Sequence, residues 1–291
     1  MTARPCHPNL AILTLGNVLA GAGLGVVYAV AIAAIASTSD IDRASAVAVL
    51  GGTIVLALLI IALPRADDVW GGAAAFAVMS TCCLPALWLV RALADAAEHG
   101  HGSAPNPPLP VLFLLALVLL STTDQGAWSY SAILGEDHAG LPAGTVSAVL
   151  SIAAIVALAG VGLSTLAART TGRLFTMATF IAFQGLAKLV IAAVPSGPFF
   201  IAAAMIWQIC YMGVLVQVLA VAAEADPSGR WVAAAGGAGA IGAGLGPAPA
   251  GWILDTLGAP AFGVILAVST AVAAVPLLRT TRAVETGNTP G

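Results

Sequence analysis

The sequence predicts an all-α, polytopic membrane protein with about nine transmembrane helices, and three observations carry that expectation. Apolar residues fill 60% of the 291 positions against 8% charged, and the mean hydropathy is +1.02, so the chain lacks the charged surface that a water-soluble fold of this length needs. Its apolar residues fall in runs long enough to cross roughly 30 Å of hydrocarbon, which takes about 20 residues of helix. The connections between the runs divide their basic residues unequally, as the two sides of a membrane do.

Cutting at charged and Pro-rich breaks places the spans at 10–37, 45–63, 71–92, 109–134, 143–168, 172–194, 197–223, 229–254 and 259–279. The first run is too long for the apolar core of a signal peptide and has no clear cleavage site, so it counts as a span. With the C-terminus inside, Arg43, Arg91, Arg169, Arg173, Arg230, Arg279 and Arg282 face the cytoplasm and only Arg4 and Arg65 lie outside. That bias predicts an odd number of helices, N-out and C-in, in a membrane of the bacterial inner (cell) membrane type.

One connection stands apart. Residues 92–110, ALADAAEHGHGSAPNPPLP, are polar and rich in Gly and Pro, and 92–108 read as a cytoplasmic linker. The linker separates a three-helix segment, 1–91, from a six-helix bundle with a short tail, 109–291. His99 and His101 read as loop residues, because two His without further ligands make a poor metal site. Cys6, Cys82, Cys83 and Cys210 show no CxxC spacing, so neither a disulfide framework nor a metal centre is expected. The net charge of −3 and the scattered Lys and Arg exclude a phosphate-backbone surface, so nucleic acid is not an expected partner.

Two helix ends on either side of the linker look alike. IASTSDIDRASAVAVLGG, 35–52, and VAAEADPSGRWVAAAGGAG, 221–239, both run from a helix through acids and an Arg into a small-residue helix. With this repeat the sequence resembles the major facilitator superfamily of transporters. In that family the loops after the fourth and tenth helices are equivalent; Asp40, Asp42 and Arg43 match the first, and Glu224, Asp226 and Arg230 the second. GAGAIGAGLGPAPAGWILD, Gly237–Asp255, is similar to the family's eleventh helix, and AARTTGR, ending at Arg173, to its short basic loop between helices eight and nine. The resemblance implies that the spans before the linker match helices four to six and those after it seven to twelve. Helices one to three then have no counterpart, one wall of the family's central cavity is missing, and the chain as given is expected to self-associate or to need those helices.

Asp124 is the leading site residue. It sits in STTDQGAWSYS, 121–131, near the end of an apolar run, where a charged side chain costs about 2.5–3.5 kcal/mol unless it faces water or a partner. Gln125 follows it, Trp128 and Ser131 share its helical face, and Gln125, Trp128 and Tyr130 join Asp124 as candidate solute-binding or proton-coupling residues. The alternative is a segment at the outer interface, with Trp128 and Tyr130 as belt aromatics and Asp124 in water. Gln208 with Tyr211, and Asn17 with Tyr28, share helix faces that the resemblance turns toward the cavity, as solute contacts. Gln184 and Lys188 are four residues apart on a span that the resemblance puts at the periphery. Lys188 is expected to snorkel outward there, in preference to an ion pair with Asp124.

GAGLG occurs at 21–25 and 242–246, inside apolar helices and without the flanking strand or Lys-Ser pair of a phosphate loop. Gly242 and Gly246 instead form a small-residue face for close helix crossing, and Pro247 and Pro249 predict a kink, either for packing or as a flexing point.

HExxH, GxSxG and paired carboxylates within one span are absent, so no enzyme is expected, and no cofactor or metal. Without a Walker motif, ATP is not the direct energy source. The function expected is secondary active transport of a small organic solute by alternating access, as a permease or efflux carrier, with a proton on Asp124 as candidate coupling ion. The alternative is a truncated, non-transporting remnant or scaffold.

Overall fold

The computed structural model describes residues 110–226 and 230–287, with a few isolated positions between 55 and 81. The spans expected before the linker therefore lie outside the described residues, as do Asn17, Tyr28, Asp42 and Arg43. The described chain is helical: α1 (Val111–Ile133), continued by a π-helical turn Leu134–His138, then α2 (Ala143–Thr171), α3 (Arg173–Ala193), α4 (Gly197–Ala225), α5 (Arg230–Leu245) and α6 (Pro247–Glu285). No strand occurs among the described residues.

Five helical segments are long and apolar enough to cross a membrane, the fifth running through α5 and α6, Arg230–Glu285. Its 56 residues would make ~84 Å of continuous helix, far beyond one bilayer. It is broken at Gly258, whose φ of 79° and ψ of 170° only glycine adopts without strain. Pro260, two residues on, starts the next helical arm where its missing N–H costs nothing. The spans expected at 109–134, 143–168, 172–194 and 197–223 coincide with α1 to α4, and those at 229–254 and 259–279 fall on the two sides of Gly258.

The break at Gly246 is of another kind. α5 ends there and α6 begins, yet Gly246 keeps helical angles (φ −55°, ψ −52°), and Ala250 N–H donates to its carbonyl at 3.3 Å. Pro247 and Pro249 interrupt the hydrogen-bond ladder without taking the Gly246 backbone out of the helical region.

Packing is by close approach of small residues. α1 packs on α5 and α6, α2 on α4, and α3 on both α4 and α6. A Cβ at Gly242 would overlap the Val118 carbonyl oxygen of α1, and one at Gly246 would lie 2.7 Å from the Thr122 carbonyl oxygen. Gly126 faces this seam from α1, its Cβ position 2.9 Å from that of Ala250. Gly160 of α2 leaves no room before the Ile209 carbonyl of α4. In lipid, where apolar burial does not drive helices together, such contact is a main source of association.

Two apolar clusters result. One gathers Phe113, Leu117, Met177, Val218, Trp231 and Leu277; the other gathers Leu134, Val146, Phe200, Trp207, Phe262 and Leu266. Along α1 the first ends at Leu120 and the second begins at Ala127; along α3 they end and begin at Ile181 and Ala187. Between them lies a short polar layer.

Substituting Gly160 by Ala should force α2 from α4 and destabilise the chain by about 1–3 kcal/mol, as overpacking does. Gly162, two residues on, has nothing within 4 Å of its Cβ position, and Gly162→Ala should be neutral or slightly stabilising. Unfolding of the detergent-solubilised variants by titration with SDS measures the difference.

Candidate functional site

The polar layer is built from one turn each of α1, α3 and α4. On α1, Thr123 and Asp124 are adjacent; Asp124 is nine residues from Ile133 and thirteen from Val111, roughly 14–20 Å of helix from either end. On α3, Gln184 and Lys188 stand one turn apart on one face, and α4 supplies Trp207.

The Asp124 carboxylate of α1 accepts from both other helices, α3 and α4. Its Oδ1 takes bonds from Gln184 Nε2 at 2.6 Å, Lys188 Nζ at 2.7 Å and Trp207 Nε1 at 3.1 Å; its Oδ2 takes the second bond of Gln184 Nε2 at 2.7 Å. Lys188 Nζ also donates to Thr123 Oγ1 at 3.2 Å, and that hydroxyl donates to the Leu120 carbonyl at 2.7 Å. Lys188 is 1% exposed and Asp124 6%, so this is an ion pair inside the bundle. The Trp128 ring meets Trp207 edge to face, with centroids 6.0 Å apart, and shields the carboxylate's indole donor.

Lys188 therefore corrects the sequence-based expectation. It does not snorkel, because its α3 face is covered by α1 and α4 and a carboxylate lies within reach. Nor does the interface alternative describe Asp124, which is buried near mid-helix with three donors around it.

A cavity of about 220 Å³ opens beside the pair, lined by α1, α3, α4 and α5. Asp124, Gln125, Gln184, Tyr211 and Ser121 give it a polar end, while Leu117, Val214, Val218 and Leu219 contribute to an apolar remainder. Gln184 Oε1 is buried and accepts no hydrogen bond, since both donor bonds of this amide go to Asp124.

Of the other residues expected at the site, Trp128 reaches it only through Trp207. The Tyr130 hydroxyl lies against Gly251 of α6, and the Ser131 hydroxyl turns back to the Ala127 carbonyl at 2.8 Å. Gln208 is buried on α4 without lining the cavity. Asp226 is buried just past α4, and Arg230 is exposed at the start of α5.

A second polar region forms where the ends of α2, α3, α4 and α6 meet. Arg173 holds Glu224 through both terminal guanidinium nitrogens, the Nη2–Oε1 bond at 2.7 Å, and Glu285 accepts from the Leu174 N–H at 3.1 Å. Glu224 is half exposed, so this pair stabilises by about 1 kcal/mol at most.

Sequence reasoning missed Trp207 and Thr123 and set Gln184 and Lys188 on the wrong side. The signal was present: on an otherwise apolar helix, an amide and an amine four residues apart mark a single face.

No protein-family model matches the chain, and no curated protein matches it.

Lys188→Met removes one partner of a buried ion pair and should cost about 3–5 kcal/mol. Adding Asp124→Leu removes the stranded charge, so the double variant should recover most of that loss. A double-mutant cycle of SDS unfolding of the solubilised chain measures the coupling; additive effects would show that the pair is not formed.

Proposed function

We propose that the chain is a secondary active transporter of a small organic solute, working by alternating access in the manner of the major facilitator superfamily, with a proton as coupling ion. One observation carries this reading: Asp124, which lines the cavity, is held in a buried ion pair by Lys188, which lies outside the lining. Ion pairs in hydrocarbon are expensive, and an apolar pair of the same volume holds helices at least as well. A pair kept beside a cavity, near mid-membrane by helix position, is placed to exchange a proton or a partner while a solute is bound.

In the proposed cycle Asp124 takes up a proton from the cavity. Its hold on Lys188 weakens, and with it the polar tie between α1 and α3. A solute in the cavity biases which of two bundle arrangements is populated, which is how binding becomes movement.

Two outcomes test the proposal. In proteoliposomes screened with a panel of small organic solutes under an imposed pH gradient, the wild-type chain should show solute-dependent proton movement read by an internal pH dye. Asp124→Asn combined with Lys188→Met removes both charges without stranding either, and should reduce that movement at least roughly tenfold. Wild-type proton coupling in this variant would make the pair purely structural. Reporter fusions at Thr2 and Gly291 should fall on opposite sides of the membrane, N-out and C-in; both on one side would overturn the expected topology.

A further inference from the structure

We infer that the cavity beside Asp124 takes a small, electrically neutral, mostly apolar solute that carries an O–H or N–H donor, and that Gln184 Oε1 is the atom that receives it. This rests on the transporter reading for its purpose, but not for its chemistry.

Gln184 is fully buried and lines the cavity, yet its carbonyl oxygen has no partner. Its orientation follows from its neighbour. A carboxylate can only accept here, so the amide must turn both donor bonds toward Asp124, at 2.6 and 2.7 Å, and its oxygen is left over. An unpaired buried acceptor is costly, and a solute donor relieves that cost. Asp124 Oδ2 accepts only one bond where Oδ1 accepts three, so a second acceptor with spare capacity stands beside it.

Charge sets the rest of the class. The Asp124 carboxylate is already balanced by Lys188 at 2.7 Å, so a cationic solute would bring a second ammonium to one carboxylate in a poorly screened site. An anionic solute would meet a carboxylate and an amide oxygen, while Lys188 does not line the cavity. Apart from the polar end, leucines, valines and small residues of α4 and α5 form the wall, which suits a hydrocarbon body.

Three probes of similar size separate these features by calorimetric titration of the detergent-solubilised full chain: p-cresol, its methyl ether, and benzylammonium. p-Cresol should bind saturably at one site. The methyl ether, which cannot donate, and benzylammonium, which is charged, should each bind at least about fivefold more weakly. Gly239→Leu should abolish saturable p-cresol binding: a Cβ at Gly239 meets only Ser121 Oγ, at 3.6 Å, and the rest of the side chain would occupy the cavity. No saturable p-cresol binding, a preference below about fivefold over either analogue, or unchanged binding in Gly239→Leu would overturn the inference. The titration needs no gradient, so a chain that binds p-cresol selectively but moves nothing sinks only the transporter reading. A chain that transports solutes lacking any donor sinks only this one.

Discussion

A carboxylate placed near the middle of an apolar helix must be answered by other helices. Asp124 is almost wholly buried and no α1 side chain donates to its carboxylate among the described residues, so the donors come from α3 and α4. Three helices are thereby held at one height and one rotation. Turning α3 by one residue about its axis would swing Gln184 and Lys188 roughly 100° away and leave the charge stranded. Apolar side chains tolerate such slips better, because one methyl contact resembles another. The polar layer thus specifies the arrangement that the two apolar clusters above and below it merely favour.

The polar layer joins α1 to α3 and α4 through side chains, while small residues set the close backbone crossings elsewhere in the bundle. Asp has a short side chain, and the longer side chains of Gln184, Lys188 and Trp207 span the gap to it. Gly242, Gly246 and Gly126 bring α5 and the start of α6 against α1, while Gly160 brings α2 against α4. Removing side chains at these positions also removes rotamer entropy that packing would otherwise cost. Tight crossings set the spacing of α1 with α5 and α6 and of α2 with α4, and the polar cluster sets the register of α1 with α3 and α4.

The cavity follows from the same geometry. α5 is pressed to α1 along its glycine face, and α4 is tied to α1 through Trp207, so the two diverge around the space that Leu117, Val214 and Val218 help to line. Its polar end is the unused side of the Asp124 cluster, and electroneutrality there is supplied in advance by Lys188. Under the inferred ligand chemistry, discrimination there is by hydrogen-bond donation and net charge more than by size, because a hydrocarbon wall of leucines and valines distinguishes one apolar body from another only weakly.

Composition and periodicity alone determined that the chain is membrane-embedded and helical, where its helices after residue 109 begin and end, and that Asp124 needs an explanation. These are one-dimensional properties: span length follows from bilayer thickness, breaks follow from charged and Pro-rich stretches, and the cost of a charge in hydrocarbon is local. Which residue answers that charge was decided only by tertiary structure. Gln184 and Lys188 lie 60 and 64 positions from Asp124 in sequence, and their face could turn to lipid or to protein with the same local pattern. The snorkelling expected of Lys188 failed for that reason: a helix's rotation is set by what packs on it, and for α3 that is the contact of α4 and α6, which no pattern along a single helix contains.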